Sequence, residues 1–554
     1  MRWHLGTVLR QSLERVPSER AAIIDFHTGQ TTHWGDLRVR VHNLCAHLQA
    51  LGIRRGDTVA LYSRNCPEYV EALLAVLQIG AVHANVNFRY TAGELRHVFA
   101  NSDSRAVFVG AEFAERLADI IDELPQLKTC ILIGEAEMPA GMRGLRHHDA
   151  TAAAPQSPQY SQDPDDRFLM YTGGTTGLPK GAIWTQEKMF RMFGVNYFAS
   201  GGPRYPADND DLLAMLGNNE CYTEAVVAPM MHGLGVYSVL CTLFFGGTVV
   251  TSSAPRFSAH GLLRAVADHG VNVFKIPGDA MAKPLLEALE ADPMQGELDA
   301  LQMIISSAAV FSAHIKRRLV EIVPHLVIND ILGGSESAAL GNSLTNADTH
   351  SANGNDSALR LRVGEGVKVF SPDLRELTPG SGERGMVARS GLIAEGYYKD
   401  PVKTAATFPV IDGERYCLLG DWAEVLADGT IKFLGRGNVC INTGGEKVFP
   451  EEVEQVLKSL DGIDDCCVVS VDDARWGSVV TALISLKPGY VFDLQAISLQ
   501  LRESLADYKV PRHFVLVDDV NRGPNGKLDY QRLSAMAAAA VAAGTPDSLQ
   551  VFTR

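Results

Sequence analysis

Short β-branched runs alternate with helix-length amphipathic stretches through the first three quarters of the chain. The run DTVALYS (57–63) precedes PEYVEALLAVLQIGA, RAVFVG (105–110) precedes AEFAERLADIIDEL, and VNVFKIP (271–277) precedes DAMAKPLLEALE. Strands that alternate with helices in this way form largely parallel sheets with helices on both faces. The pattern therefore predicts an α/β fold for this part of the chain.

The pattern changes near residue 360 to short strands separated by Asp-Gly and Gly-Gly turns, which predicts β-rich structure. A smaller module follows, with two amphipathic helices, two apolar strands and an Ala-rich end that we expect to be a frayed helix and tail. We expect a large N-terminal domain of α/β subdomains plus a β-rich part (1–435), a hinge (436–438) and a small, mobile α+β C-terminal domain (439–554).

Composition and charge narrow the function classes. At 554 residues the chain is too long for one ordinary domain, and its net charge of −15 disfavours a general role on nucleic acid or an anionic membrane face. Nine cysteines without metal-ligand spacing fit reduced thiols in a cytoplasmic protein. The longest uncharged stretch (233–255) is divided by Gly246 and Gly247, so we expect buried core and no transmembrane segment.

The segment YTGGTTGLPKGAIWT (171–185) is a flexible, hydroxyl-rich loop between two apolar runs. Its backbone N–H groups and threonine hydroxyls suit a cluster of phosphate oxygens, and Lys180 adds a positive charge. It is not a Walker A loop, because Pro179 precedes the lysine and Gly181 follows it. An isolated string of this kind is also found as a surface turn, so the string alone leaves both interpretations open.

The string is not isolated, and it resembles the phosphate-binding signature of the adenylate-forming superfamily. This superfamily contains acyl-CoA synthetases, adenylation domains of peptide synthetases, and luciferases. Its other signatures follow in order: PMMHGLG (229–235), ILGGSESA (331–338), YCLLGDWAEVLADGTIKFLGRGN (416–438), INTGGEKVFPEEVE (441–454) and GPNGKLDY (523–530). The resemblance covers almost the whole chain.

The resemblance implies a catalytic role for three residues. Lys527 bridges the substrate carboxylate and the α-phosphate of ATP, while Glu336 and Thr175 are the ligands of Mg²⁺, a hard cation that prefers oxygen. The resemblance also assigns a nucleotide site in which Asp421 accepts hydrogen bonds from the ribose hydroxyls. The full set of nucleotide-binding residues is Thr172, Gly173, Gly174, Thr175, Thr176, Gly177, Lys180, Gly333, Gly334, Ser335, Asp421 and Arg436.

Three further assignments follow from the resemblance. The acyl pocket includes His232, Gly278 and Ala308, with no general-base role for the histidine. The CoA tunnel is lined by Gly444 and Gly445, and the hinge residue is Asn438.

The chain departs from the family pattern at three positions. Leu332 replaces a tyrosine of the adenine motif, Asn438 stands where the hinge residue is usually Asp or Lys, and Tyr530 stands where arginine is common. An aromatic stacking partner for adenine is therefore missing at the first position, and the details of domain rotation are open at the second.

The resemblance implies an AMP-forming acyl-CoA synthetase, an acid–thiol ligase with ATP, Mg²⁺ and coenzyme A. Segments such as NVNFRYTAGELRHVF (85–99) are similar to bacterial fatty-acyl-CoA synthetases, including those for steroid side-chain acids. The expected substrate is thus a medium- or long-chain fatty acid or a steroid side-chain acid, and a homodimer is left open. The alternatives are an enzyme that loads a separate carrier protein, an aryl-acid CoA ligase, a luciferase-like oxygenase and a non-enzymatic ATP-binding regulator.

Overall fold

Helices and strands alternate through residues 5–345 as the pattern predicts. The computed structural model describes residues 2–172, 178–199, 206–217, 222–294, 296–348, 359–443, 446–473, 477–523, 526, 528–543 and 550–553.

The strands up to residue 436 are β1 Ala21–Asp25, β2 Gln30–His33, β3 Thr58–Tyr62, β4 Val82–Asn85, β5 Ser104–Gly110, β6 Thr129–Ile133, β7 Gly144–Arg146, β8 Arg167–Thr172, β9 Lys180–Thr185, β10 Thr223–Val226, β11 Thr248–Thr251, β12 Val273–Ile276, β13 Met303–Ser306, β14 Val327–Gly334, β15 Ala338–Thr345, β16 Arg360–Val363, β17 Val367–Phe370, β18 Arg384–Ser390, β19 Gly396–Tyr397, β20 Val410–Ile411, β21 Glu414–Val425 and β22 Ile431–Arg436.

The helices of the same part cover the faces of these strands. They are α1 Leu5–Arg15, α2 Trp34–Ala50, α3 Pro67–Gln78, α4 Ala92–Asn101, α5 Ala111–Ala118, α6 His147–Ala152, α7 Gln186–Ala199, α8 Asn209–Gly217, α9 Gly233–Phe244, α10 Ala259–His269, α11 Asp279–Ala291, α12 Ala313–Ile322 and α13 Pro401–Thr407. No helix in the described part of the chain has the length and apolar character needed to cross a membrane.

Two large sheets form the N-terminal part. The first has the order β19-β9-β8-β4-β3-β5-β6-β7, parallel from β8 to β7 and antiparallel at β9 and β19. The second runs β17-β18-β21-β22-β16-β15-β14-β13-β12-β10-β11-β1-β2, with β20 beside β21. Its strands from β14 to β1 are parallel, and those from β15 to β17 form the antiparallel β-rich part.

The two large sheets share one buried core. Leu61 of β3 and Val249 of β11, one from each sheet, belong to the same apolar cluster as Leu73 of α3 and Val239 of α9. Because helices α3 and α7 each contact strands of both sheets, the sheets are held as one unit. The uncharged stretch at 233–255 lies within this core as helix α9 and strand β11, as the sequence predicts.

The smaller C-terminal part is a separate α+β unit. It consists of β23 Ile441–Thr443, β24 Glu446–Val448, α14 Pro450–Ser459, β25 Ile463–Asp473, β26 Gly477–Leu486, α15 Leu494–Ser504, β27 His513–Leu516, α16 Tyr530–Ala543 and β28 Val551–Thr553. The strands pair in the order β24-β23-β26-β27-β28, with β25 beside β26. The expectation of a frayed tail is wrong for Val551–Thr553, because these residues form β28, an edge strand that pairs with β27. Short 3-10 turns lie at Ile121–Glu123, Gly437–Val439 and Asp507–Lys509.

Candidate active site

The predicted site residues of the N-terminal part follow neighbouring parallel strands of the second sheet. Strands β10, β12, β13 and β14 are adjacent and parallel. His232 lies beyond the carboxyl end of β10, Gly278 beyond β12, Ala308 beyond β13 and Glu336 beyond β14. Carboxyl ends of parallel strands meet at one edge of a sheet, which is where α/β folds bind ligands. The fold therefore gathers these four positions at one edge.

The predicted acyl-pocket side of this edge is built from two loops in close contact. Gly278 precedes α11 with φ of 55° and ψ of −143°, and a Cβ there would lie 2.1 Å from the Val310 carbonyl oxygen. The backbone N–H of Asp279 donates to the same oxygen at 2.9 Å. Ala308 has φ of 72°, an uncommon value for a residue with a side chain. The close approach of the two loops thus requires glycine at 278.

His232 lies half-buried at the N-cap of α9, at the same edge. A buried ion pair lies beneath this edge, where Lys275 Nζ is 3.1 Å from Glu224 Oε1 and Thr242 donates a hydrogen bond to the same carboxylate. The charge of Lys275 is therefore balanced inside the protein.

Glu336 lies in the turn between β14 and β15 and is held by a tyrosine. The Tyr397 hydroxyl donates to Glu336 Oε1 at 2.8 Å, and the Ala394 N–H donates to the Glu336 carbonyl oxygen at 2.8 Å. Burial and the nearby Glu336 charge both raise the pKa of Tyr397, so its hydroxyl stays protonated and remains a donor. The Glu336 side chain offers the oxygen ligands that Mg²⁺ prefers, and among the described residues no Lys or Arg pairs with it. These features fit a metal ligand.

The glycines before Glu336 are required by close packing. A Cβ at Gly333 would lie 2.3 Å from the Ala338 carbonyl oxygen, and one at Gly334 would lie 2.3 Å from Leu419 Cδ1. The Trp184 indole N–H donates to the Ser335 carbonyl oxygen at 2.8 Å and fixes the turn to β9. The turn is therefore rigidly placed against both large sheets.

Thr172 on β8 is paired with Lys180 on β9, next to the segment 173–177, which we call the Gly-Thr loop. Lys180 Nζ is 3.0 Å from Asp400 Oδ2 and 5.9 Å from the centre of the Tyr397 ring. The backbone N–H of Lys403 and then Lys180 hold the pKa of Asp400 below its usual value. The segment from Tyr397 to Asp400 therefore contacts both the predicted metal ligand and the predicted phosphate lysine.

The two remaining residues of the predicted nucleotide site are paired across a β-ladder. Asp421 on β21 is directly opposite Arg436 on β22, so the two positions lie on the same face of the sheet. Asp421 is buried, and the neighbouring Leu419 packs on Gly334. The fold thus places this pair close to the turn that carries Glu336.

Several predicted residues lie outside the described part of the chain: Gly173, Gly174, Thr175, Thr176, Gly177, Gly444, Gly445 and Lys527. For Arg436 and Asn438 the structure gives the backbone, in β22 and the following 3-10 turn. The residue before Lys527 is described, and a Cβ at Gly526 would lie 2.7 Å from Ala309 Cβ and 2.9 Å from the Pro277 carbonyl oxygen. The C-terminal loop therefore touches the acyl-pocket loops.

Sequence reasoning missed Tyr397 and Asp400. Both lie in EGYYKDP, where Asp400 before Pro401 indicates only a helix start, and Asp400 does accept a hydrogen bond from the Lys403 N–H as an N-cap. The contacts with Glu336 and Lys180 join residues far apart in the chain. Local sequence patterns do not predict such contacts.

Comparison with known families decides the classification. The family profile of AMP-binding enzymes matches residues 9–398, and that of the AMP-binding enzyme C-terminal domain matches residues 452–527. The chain is an AMP-binding enzyme. This AMP-binding enzyme and its matches agree in length as well as in sequence, because the curated relatives are covered almost end to end.

Two bacterial CoA ligases are among the most similar relatives of this AMP-binding enzyme. A medium/long-chain-fatty-acid–CoA/3-oxocholest-4-en-26-oate–CoA ligase of Mycobacterium marinum is 38% identical over 536 residues, 95% of each chain. The 3-oxocholest-4-en-26-oate–CoA ligase of Rhodococcus rhodochrous is 37% identical over 540 residues, 96% of this chain and 95% of that protein. The predicted family and the predicted class, an AMP-forming acyl-CoA synthetase, are confirmed.

The fold is confirmed by solved structures. The anthranilate CoA ligase AuaEII in complex with anthranoyl-AMP has a TM-score of 0.82 and 21% identity, over 98% of both chains. ATP-bound MatB from Rhodopseudomonas palustris has a TM-score of 0.79 and 22% identity, over 97% of this chain and 99% of that chain. ATP and CoA are accordingly substrates of this AMP-binding enzyme.

Proposed function

We propose that this enzyme converts a hydrophobic carboxylic acid, either a medium- to long-chain fatty acid or a steroid side-chain acid, to its CoA thioester. In the first step the carboxylate attacks the α-phosphorus of ATP, pyrophosphate leaves and an acyl-adenylate forms. In the second step the CoA thiol loses its proton and attacks the carbonyl carbon, and AMP leaves. The first step joins two anions, so the site must supply positive charge.

The observation that carries this proposal is the meeting of three groups of residues at one sheet edge. Glu336 and the Tyr397–Asp400 segment lie on one side, beside Lys180 at the end of the Gly-Thr loop. The acyl-pocket loops with Gly278 lie on the other, and Gly526 of the C-terminal part touches them. An acid bound there has its carboxylate between the phosphate site and the loop of Lys527.

The roles of the chain's own groups follow from this arrangement. The β- and γ-phosphates are bound by the loop 173–177 together with Lys180. The ribose is oriented by Asp421 and Arg436. Glu336 and Thr175 would hold Mg²⁺, which would neutralise part of the charge of the phosphates when bound. Lys527 neutralises the approaching carboxylate and α-phosphate.

The thioester step needs different groups at the same carbonyl. In our proposal the C-terminal domain (439–554) rotates about Asn438 within the hinge (436–438), removes Lys527 and brings the strand of Gly444 and Gly445 to the site. Residues without side chains leave room for the pantetheine arm of CoA. Domain rotations of this kind are a common way to complete a second catalytic arrangement.

The pocket loops favour an apolar acid over an amino acid. Lys275 is paired with Glu224, and Asp279 accepts hydrogen bonds from Ser312 and is paired with Lys458, so these charges are already balanced. Among the described residues of these pocket loops, the acidic side chains already have cationic partners, so burying a substrate ammonium here costs several kcal/mol. Each buried CH₂ of a fatty acid instead contributes about 0.8 kcal/mol, or about fourfold in affinity.

The test of the proposal is acid-dependent pyrophosphate release and acyl-CoA formation with acetate, benzoate, octanoate, palmitate and a sterol side-chain acid, at equal ATP and CoA. We expect the highest kcat/KM with octanoate, palmitate or the sterol acid. Preference for acetate or benzoate would refute the substrate class, and the choice between the fatty acids and the sterol acid settles the subgroup.

The role of Lys527 is tested by separating the two half-reactions. Lys527→Ala removes the charge that is needed only while two anions meet, so we expect pyrophosphate release to fall by at least about 100-fold. Thioester formation from supplied acyl-adenylate and CoA should be retained. Equal loss in both half-reactions contradicts the assignment.

A further inference from the structure

Helix α11 presents two opposite charges to the C-terminal domain. Asp279 and Lys283 are four residues apart, so they lie on the same face of the helix. Asp279 Oδ2 is 3.1 Å from Lys458 Nζ in the last turn of α14, and Lys283 pairs with Asp464 at the start of β25. Two ion pairs of opposite polarity therefore cross the boundary between the two parts of the chain.

The first ion pair continues into the C-terminal domain. Lys458 Nζ is also 3.3 Å from Asp465 Oδ1, and Arg522 donates to the Asp465 carboxylate from Nε at 2.6 Å and from Nη2 at 3.0 Å. Arg522 Nη1 then donates to the Gly526 carbonyl oxygen at 3.2 Å. A continuous series of contacts thus runs from Asp279 in the N-terminal part to the peptide group that joins Gly526 to Lys527.

The central members of this series are buried and remain charged. The Lys458 side chain is 6% exposed and that of Arg522 is 15% exposed. Burial alone lowers the pKa of Lys458, but Asp279 and Asp465 outweigh it and the pKa is raised. Burial alone raises the pKa of Asp465, but Lys458 and Arg522 outweigh it and the pKa is lowered. Removing one partner of such a network leaves a buried charge unpaired, so undocking, which separates Asp279 from Lys458, removes part of the charge compensation at Lys458.

The series ends where a small displacement matters. A side chain at Gly526 would overlap Ala309 and Pro277, so the loop is seated directly on the acyl-pocket loops. Gly526 also has φ of 73°, which places it in the left-handed region. The position of this loop is thus set from one side by the pocket and from the other by Arg522.

We propose that Asp279, Lys283, Lys458, Asp464, Asp465 and Arg522 form an electrostatic latch that docks the C-terminal domain in the pose for adenylation. Within this α11 latch, Arg522 is a positioning residue for the loop of Lys527. The inference rests on the proposed function, because it assigns the docked pose to the half-reaction that uses Lys527. The thioester half-reaction requires another face of the domain at the same carbonyl, so the latch must open between the two steps.

The outer pair allows a charge-reversal test. Lys283 and Asp464 are more than one-third exposed, so both tolerate substitution. Lys283→Asp and Asp464→Lys each place like charges in contact, and we expect acid-dependent pyrophosphate release to fall about fivefold in each single variant. The double variant restores an attractive pair and should recover most of the rate. Thioester formation from supplied acyl-adenylate should not fall in any of the three.

The matched control is another exposed pair on the same helix. Glu290 of α11 pairs with Arg318 of α12 at 3.2 Å within the N-terminal part, and both side chains are about half exposed. Glu290→Lys changes the charge of α11 to a similar extent but breaks no contact with the C-terminal domain. We expect the ratio of the two half-reaction rates to stay at the wild-type value.

The inner part of the latch is tested with Arg522→Lys, which keeps the charge but loses the two-point contact and the bond to Gly526. We expect kcat of pyrophosphate release to fall about tenfold with little change in the KM for ATP, and CoA transfer from acyl-adenylate to be spared. Loss of both half-reactions in equal proportion, or failure of the charge-reversed double variant to recover, overturns the latch. The proposed function fails separately, if the wild-type enzyme releases no pyrophosphate with any acid or if Lys527→Ala retains that activity.

Discussion

At the residue scale, a single tyrosine links the predicted metal ligand to the predicted phosphate lysine. The Tyr397 hydroxyl donates to Glu336, its ring lies beneath Lys180, and its own N–H donates to Thr404 Oγ1 at 2.9 Å. A carboxylate with one oxygen fixed in this way presents its other oxygen in one direction. Removing a hydrogen bond that orients a metal ligand commonly lowers metal affinity by about tenfold or more.

Tyr397→Phe is expected to raise the Mg²⁺ concentration for half-maximal pyrophosphate release by about 10-fold, because it removes a hydrogen bond to a charged group at nearly constant volume. The measurement is a Mg²⁺ titration at fixed ATP and acid. Tyr398→Phe is the matched control, since that hydroxyl donates to Asp103 and does not contact Glu336. An unchanged Mg²⁺ dependence in Tyr397→Phe contradicts an orienting role.

At the element scale, local patterns predicted most elements but not how they join. The run at 57–63 and the following helix are β3 and α3, and the run at 271–277 and its helix are β12 and α11. The helix expected after residue 110 ends early, at Ala118, and a 3-10 turn follows. The continuation of the parallel strands into the β-rich part through β14 and β15 depends on non-local pairing, which periodicity does not encode.

The same distinction holds for the site. Glu336, Asp421 and Lys180 stand in short motifs and were predicted as site residues from those motifs. The Asp279–Lys458 contact joins residues 179 positions apart, and each residue alone looks like an ordinary surface charge of its helix. Contacts of this kind form only when the two parts of the chain are docked, so the sequence pattern could not predict them.

The start of α11 supplies the prediction at this scale. Gly278→Ala requires a Cβ 2.1 Å from a backbone oxygen at a backbone conformation that is almost restricted to glycine. Moving α11 to relieve the overlap displaces the proposed acyl pocket and Asp279 together, so we expect a higher KM for the acid and a midpoint of thermal unfolding lower by several degrees.

Gly270→Ala is the matched control. Gly270 also has positive φ, at the end of α10, but a Cβ there would meet nothing within 4 Å. The expected cost is therefore only about 1–2 kcal/mol from the left-handed conformation, with an unchanged acid KM. Equal effects of the two substitutions on acid KM contradict the close-packing argument.

At the scale of the whole molecule, buried charges and a buried imidazole make the N-terminal part sensitive to acid. Burial alone raises the pKa of Glu71, but His147 and Arg40 outweigh it and the pKa is lowered. A carboxyl group whose folded-state pKa is lowered stabilises the fold above its unfolded-state pKa, and that contribution is lost as the pH falls through the folded-state value. Carboxyl groups of this kind therefore lose their stabilising effect below about pH 4.5.

The titration of His83 affects the free energy of unfolding at a higher pH than the titration of the carboxyl groups does. It is fully buried in β4 and stacks on Phe168 with ring centres 4.2 Å apart, and burial lowers its pKa to about 3. In the unfolded chain the imidazole takes up a proton below about pH 6.5, whereas in the folded chain it stays neutral. The unfolded state is therefore favoured as the pH falls from 6.5 towards 3. The stabilising contribution of neutral His83 is complete above pH 6.5.

We therefore expect the wild-type free energy of unfolding to fall by about 1.4 kcal/mol between pH 7.5 and pH 5.5 through His83 alone. His83→Leu removes the titrating group, so the free energy of unfolding of this variant should fall less on acidification. The measurement is the urea midpoint at the two pH values. His27→Leu is the control, because His27 is exposed and its removal should leave the wild-type difference intact. If His83→Leu shows the same loss between pH 7.5 and pH 5.5 as the wild-type protein, then the buried imidazole does not set the stability in this range.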